Sequence, residues 1–348
     1  MTFKESLTKI DTMKEAMFYK RENDKVECYL CAHNCIINNN NRGICKVRIN
    51  KNGKLFSLVY NKAIAENIDP VEKKPLYHFL PGTYTYSLAT VGCNFKCLNC
   101  QNYEISQFPE LNNGYIYGKE LTPEEIINKV KSNHLPSISF TYTEPTVYYE
   151  YAKDIGILAK TNGIKNIFVS NGYMSKECAD DLKNWLHGIN IDLKSFSDDF
   201  YKKICKARLK PVLDNIERLK ANGIWVEITT LIIPELNSSE KELKNIAKFI
   251  KSVDKNIPWH VSAFYPTFKL TNSYPTPPEL VIKAREIGLE EGLNYVYTGN
   301  IRDYTGQNTY CPECNEILIK RAGYFTEILN LNNDKCSNCG FEIAGIFE

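Results

Sequence analysis

From Thr85 onward the chain repeats one pattern: a short β-branched or aromatic run, then a stretch that opens with helix-start signals. The runs are TYSLATV, SISFTY, KNIFVS, INIDL, IWVEITTLII, WHVSAFY and NYVYTG. Between them stand Thr122-Pro123-Glu124-Glu125, a capping residue followed by a first-turn proline and acids, and the capping-box-like Ser238-Ser239-Glu240-Lys241-Glu242. Strand–helix alternation of this period predicts βαβ units and a parallel sheet. The predicted fold class is α/β, a partial (β/α)6 TIM-like barrel, since six or seven repeats fall short of a closed eight-fold ring. In such a fold the loops after the strand ends converge, and chemistry is expected there.

The flanks break the pattern. Residues 1–24 read as a charged, weakly amphipathic helix, and 25–84 as a small cysteine-rich module in which Asn-Lys-Asn-Gly, ending at Gly53, predicts a hairpin turn. The proline-rich DPVEKKPLYHFLPGT reads as a wrapped linker. Beyond Asp303 the tail has no room for another βα unit and reads as a zinc-ribbon-like module. The expected division is 1–84, 85–303 and 304–348.

The N-terminus lacks an apolar signal-like core, and no stretch approaches the ~18 apolar residues of a membrane span. The expectation is a cytoplasmic protein with no membrane partner. The formal net charge is +2, and no run of like charges is long enough to make a nucleic-acid arm or a polybasic anchor. In a reducing compartment thirteen cysteines are poor disulfide candidates and good ligands, and eleven of them fall into three tight groups.

The central group, Cys93-Asn-Phe-Lys-Cys97-Leu-Asn-Cys100, follows directly after the first run of the main domain. Three thiolates cannot fill the tetrahedral shell of a structural zinc. A four-iron cluster held by only three cysteines keeps one iron free, and an open position is what makes a metal site catalytic. The bland alternative is a partial zinc site or three buried thiols.

At these residues the chain resembles the radical S-adenosylmethionine (SAM) superfamily, whose CxxxCxxC loop binds a [4Fe-4S] cluster. Asn99 stands where that family usually has an aromatic residue. The wider stretch, from CYLCAHNCIINNNNRGICKVR through PLYHFLPGT to CNFKCLNCQNYEISQ, is similar to pyruvate formate-lyase activating-enzyme relatives and, more narrowly, to the radical enzyme of the AmmeMemoRadiSam system. The resemblance implies reductive cleavage of SAM to a 5′-deoxyadenosyl radical that abstracts hydrogen. It implies an electron donor such as ferredoxin or flavodoxin, and in the narrower context AMMECR-like or Memo-like companions.

SAM needs a carboxylate, a cation and polar strand-end groups around it. Glu144, in Phe140-Thr-Tyr-Thr-Glu144-Pro145, stands where the family's Gly-Gly-Glu-type segment meets the cofactor ammonium. Asn171 ends KNIFVS within an Asn-Gly turn. Asp192 and Lys194 follow INI, and alternation points them to one side. His260 opens a later run. By resemblance these five bind the cofactor; taken singly, Asp192 or Lys194 would read as a solvated charge and His260 as a satisfied core histidine.

Cys311-Pro-Glu-Cys314 and Cys336-Ser-Asn-Cys339 have the spacing of a structural zinc site, with Asn315 and Gly340 suited to left-handed knuckle turns. An auxiliary iron–sulfur cluster is the rival. Cys28, Cys31, Cys35 and Cys45 can likewise form one site, zinc or second cluster, with His33 to spare. Cys178 and Cys205 read as ordinary buried thiols. The sequence supports a radical enzyme acting on a protein, a radical enzyme acting on a small metabolite, or a non-enzymatic zinc-binding nucleic-acid or protein interaction module. The third fails on the missing fourth ligand at Cys93–Cys100.

Overall fold

The computed structural model describes residues 13–348. One eight-stranded sheet organises them: β1 (Ala65–Pro70), β2 (Tyr84–Ala89), β3 (Ser137–Phe140), β4 (Lys165–Ser170), β5 (Gly188–Asp192), β6 (Trp225–Ile232), β7 (Trp259–Ala263) and β8 (Val296–Gly299). Strands β2 to β8 run parallel in chain order, and β1 adds an antiparallel edge beside β2. Among the described residues β8 pairs with neither β1 nor β2, so the barrel is open along that side.

The six crossovers carry α1 (Pro123–Ser132), α2 (Tyr149–Thr161), α3 (Lys176–Leu182), α4 (Lys210–Ala221), α5 (Glu240–Val253) and α6 (Pro278–Glu290). The parallel strands are largely buried on both faces, as strands covered by helices must be, whereas edge strand β1 is mostly half-buried or exposed. In β3 all four residues, Ser137 to Phe140, are buried. Helix α5 buries Leu243, Ile246, Ala247 and Ile250, an i, i+3, i+4, i+7 stripe.

Local signals were read correctly at both helix starts, with one difference. Thr122 and Glu125 close a reciprocal capping box, Glu125 N–H donating to Thr122 Oγ1 at 3.3 Å and Thr122 N–H to Glu125 Oε2 at 2.7 Å, a device that stabilises by about 1 kcal/mol. At α5, Ser239 caps the Glu242 N–H, but the Glu242 carboxylate turns away to accept from the Ser195 hydroxyl and the Phe196 N–H. It ties the start of α5 to the loop after β5.

The helix expected over residues 1–24 is corrected by the structure. Residues 1–12 lie outside the described part, and Tyr19–Glu22 is a strand paired with Lys25–Cys28 around Asn23, which has φ 55°. Pairing with a strand that carries Cys28 overrides a weak helical pattern. The predicted hairpin is present: Arg48–Lys51 pairs with Lys54–Ser57 around Asn52 and Gly53, both left-handed at φ 55° and 77°.

Val26, Leu30, Ile37, Val47 and Leu55 from the N-terminal region share one continuous core with Leu88, Phe95 and Met174 of the barrel. The two surfaces meet at Gly92, φ 103°, where a Cβ would lie 2.5 Å from Val47 Cγ1. At the other side, the tail packs strands Thr309–Tyr310, Ile317–Ala322 and Phe325–Ile328 into a small antiparallel sheet. Its buried Arg321 donates to Tyr77 O at 2.8 Å and lies 4.1 Å from the centre of the Tyr77 ring.

Candidate active site and metal centres

The loop after β2 carries Cys93, Cys97 and Cys100, with Cys97 buried and the other two partly so. Its conformation comes from neighbouring chain rather than from a helix. Lys96 N–H and Leu98 N–H donate to Cys205 O (3.0 Å) and Ile204 O (3.1 Å), in a π-helical turn that ends at the left-handed Lys206. Phe95 N–H points at Cys93 Sγ at 3.3 Å, and Cys100 Sγ lies 3.2 Å from Ser106 Oγ. Donors aimed at sulfur suit thiolates that carry charge.

The ends of β3 and β4 close over this loop. Glu144, almost fully buried, accepts at Oε1 from Thr146 N–H (3.0 Å), Thr146 Oγ1 (2.6 Å) and Ser170 Oγ (2.8 Å), and at Oε2 from Asn171 N–H (2.8 Å). Burial pushes its pKa up while these donors oppose the rise. Asn171 Nδ2 in turn donates to Asn94 Oδ1 at 2.7 Å and lies 3.9 Å from Cys93 Sγ. Glu144 and Asn171 are thus brought together against the cysteine loop, although the Glu144 carboxylate is occupied by its own neighbours.

Asp192 and Lys194 lie on one side as expected, Lys194 Nζ 3.0 Å from Asp192 Oδ2. Burial works to lower the Lys194 pKa, but Asp192, Cys97 and Cys205 outweigh it and hold the ammonium charged. The Cys97 thiol is held below its ordinary value by a hydrogen bond with Cys205, against its burial and with help from Lys194. A protonated lysine therefore stands beside Cys97 of the cysteine loop.

His260 lies in register with Asp192 through Thr229 and bonds other groups. Its Nε2 meets Glu227 Oε2 at 2.6 Å, and its ring packs on Tyr77 and Tyr297. Glu227 also accepts from the N–H groups of Tyr77 and His78, so this buried network bonds the linker and the tail rather than the cysteine loop.

Three contributors escaped sequence reasoning. Asn94 lies inside the cysteine loop and bridges it to Asn171. Tyr142 holds φ 63° where the related segment has glycine; its hydroxyl bonds Asp69, Lys74 Nζ sits 4.6 Å from its ring centre, and its carbonyl accepts from Asn102 Nδ2 at 2.7 Å. Left-handed backbone costs a non-glycine residue roughly 1–2 kcal/mol, and these anchors offset it. The glycine mismatch was the available signal for Tyr142. Nothing local marked Cys205.

The C-terminal cysteines make a different centre. Cys311 and Cys339 Sγ are 3.6 Å apart, Cys314 and Cys336 Sγ 3.7 Å, and all four lie within 4.8 Å of one another. Zn–S bonds of 2.3 Å in a tetrahedron put sulfurs about 3.8 Å apart, so the site fits a metal ion of that size. Asn315 and Gly340 adopt the left-handed turns expected of them, φ 60° and 77°. Among the described residues no other group brings three or more such ligand atoms this close.

Residues 87–250 match the Radical SAM superfamily model, the segment that holds the cysteine loop, Glu144, Asn171, Asp192 and Lys194. The chain belongs to the radical SAM superfamily. An uncharacterized protein of Methanocaldococcus jannaschii is 46% identical over 95% of this chain and 99% of its own length. A putative glycyl-radical enzyme activating enzyme of the same organism is 27% identical over 59% of this chain and 76% of its own. The pyruvate formate-lyase-activating enzyme of Clostridium pasteurianum is 28% identical over 53% and 78%. Of solved structures, a radical SAM methyltransferase from Sphaerobacter thermophilus aligns with TM-score 0.49 and 14% identity over 63% of this chain and 67% of its own.

The protein is accordingly a radical SAM enzyme, and the all-structural reading of its cysteines falls. The superfamily implies a [4Fe-4S] cluster and SAM as cofactors. Three thiols on one loop at the C-terminal end of β2, with the Phe95 N–H at Cys93 and the Ser106 hydroxyl beside Cys100, are a donor set that fits such a cluster. No described helix is long and apolar enough to cross a membrane.

Proposed function

We propose that this radical SAM enzyme makes its radical for hydrogen abstraction from a polypeptide partner, in the manner of a glycyl-radical activating enzyme. The observation that carries the reading is the open side of the barrel between β8 and the β1 edge; the names of the two activating-enzyme relatives agree with it. Cys93, Cys97 and Cys100 would hold the cluster, which would supply the one-electron reduction of SAM that yields the 5′-deoxyadenosyl radical. The protein's own part is to hold and shield these groups.

Lys194, kept charged beside Asp192, receives the cofactor carboxylate. Asn171 offers its turn to the ribose side. Glu144 acts chiefly by bracing the ends of β3 and β4, so that Thr143 and the Asn171 turn present their backbone to the ligand. His260, bonded to Glu227, braces the strand row that Asp192 shares beneath the cofactor. The C-terminal cysteines hold structural zinc. An electron carrier of the ferredoxin or flavodoxin type, a reducing cytoplasm, and AMMECR-like or Memo-like companions complete the reading.

The test starts from anaerobically reconstituted, reduced protein, which should release 5′-deoxyadenosine from SAM, while Cys97→Ala should not. Deoxyadenosine release is then measured with the dialysed macromolecular fraction or the small-molecule filtrate of a lysate added. Stimulation by the macromolecular fraction, with hydrogen transferred from a polypeptide, is expected. Stimulation by the filtrate alone would replace this proposal with a small-metabolite substrate.

A further inference from the structure

Cys28, Cys31, Cys35 and Cys45 converge on one small pocket whose wall also contains Arg48 and Asn94. Main-chain N–H groups of His33, Ile44 and Val47 lie toward Cys31, Cys35 and Cys45 in turn. Two buried donors in the wall, Arg48 Nε and Asn94 Nδ2, have no partner. The far end of Arg48 is held by Glu150, Nη2 to Oε1 at 2.9 Å and Nη1 to Oε2 at 3.2 Å, both side chains almost fully buried. An orphaned buried donor is costly, and two of them around four cysteines mark a place for an anionic, sulfur-rich group.

Spacing decides which group. The C-terminal cysteines, all within 4.8 Å, close around a space the size of one ion. No three of the N-terminal sulfurs come within that distance of one another, and neither do those of Cys93, Cys97 and Cys100. The N-terminal set therefore has the wider opening of a cluster site and not the tetrahedron of zinc. Charge does not separate the two, since four thiolates around Zn²⁺ or around a [4Fe-4S]²⁺ core both leave two negative charges.

We propose that Cys28, Cys31, Cys35 and Cys45 hold a second [4Fe-4S] cluster, closed by four cysteines. It lies beside the first: Asn94 forms part of its wall, follows Cys93 in the chain, and has its carbonyl 2.8 Å from a His33 ring nitrogen. The inference rests on the radical SAM reading only for the comparison with Cys93, Cys97 and Cys100.

The experiment uses the full chain, reconstituted anaerobically with iron and sulfide, next to a Cys93→Ala, Cys97→Ala, Cys100→Ala triple variant. Wild type should carry about eight irons and one zinc, and the variant about four irons with a reduced-state electron paramagnetic resonance signal that SAM leaves unchanged. Adding Cys31→Ser and Cys35→Ser to the triple variant should remove that signal. Wild type with about four irons and two zincs, and a triple variant without iron, overturns the proposal. If the triple variant does not fold, the wild-type spin count decides: about two per chain, one of them shifted by SAM, supports a second cluster, and about one overturns it. The radical SAM reading fails on a separate readout, a wild type none of whose signals responds to SAM.

Discussion

Replacing Glu144 with glutamine changes one oxygen for an NH2 group and leaves size and burial alone, which makes it the sharpest probe of the strand-end brace. Three donors converge on Oε1 and one, Asn171 N–H, on Oε2. The glutamine carbonyl best serves the crowded position, and its NH2 then faces the Asn171 N–H. One buried donor loses its acceptor and meets another donor, at about 1–3 kcal/mol. Against a total stability of about 5–15 kcal/mol, the protein still folds. Alanine would strip all four donors; the two hydroxyls can rotate to other acceptors, but two N–H groups stay orphaned, for about 2–6 kcal/mol. Anaerobic urea unfolding followed by far-UV circular dichroism should show Glu144→Gln with a lower midpoint at unchanged slope. Because Asn171 also bonds Asn94 in the cysteine loop, SAM titration should show affinity weakened about tenfold, roughly 1.4 kcal/mol, with cluster absorbance retained. A variant of wild-type stability that no longer binds SAM would refute the brace and return the carboxylate to direct contact with the cofactor ammonium.

Lys194→Ala should weaken SAM binding by about 1.5–3 kcal/mol, the range for a hydrogen bond to a charged group, and leave iron content unchanged; unaltered affinity by titration would remove Lys194 from the cofactor site. Cys314→Ala should release the zinc and lower the melting temperature, since structural metal binding is coupled to folding, while the SAM-sensitive iron signal persists; metal analysis and calorimetry check both. Asp69 is held below its usual 3.8, because Lys73, Lys74 and Tyr142 outweigh its burial. A depressed carboxylate contributes stability above the unfolded pKa that fades as pH falls through the folded one. The melting temperature should therefore drop as pH falls below about 4, and Asp69→Asn should start lower and flatten that slope.

What could be read in the sequence was what short-range chemistry dictates. Strand runs and helix caps were legible because period and capping act within a few residues. The Asn52-Gly53 hairpin and the Asn315 and Gly340 knuckles were legible because left-handed backbone favours those residue types. The strand at Tyr19–Glu22 was not, since its pairing with Lys25–Cys28, which itself pairs with Cys35–Ile37, outweighs a faint helical pattern. Nor was the setting of His260, which depends on Glu227 in one neighbouring strand and on Tyr77 in a linker 183 positions earlier. Cys205 passed as an ordinary thiol because only the fold brings its turn to the cysteine loop.

The same distinction bears on how the site is assembled. Residues 25–84, legible as a cysteine-rich module with one hairpin, bury Val47 against Gly92 and set Asn94 between two sulfur groups. A Gly92→Ala change would force a Cβ within 2.5 Å of Val47 Cγ1 and strain a backbone at φ 103°. Its damage should reach both groups at once, because one loop residue later the chain becomes Cys93. Overpacking of a close contact costs typically about 1–3 kcal/mol, to which the left-handed backbone adds. Iron should fall at both sites together while C-terminal zinc stays bound, and loss confined to the SAM-responsive signal would show that the N-terminal region and the cysteine loop are not mechanically joined.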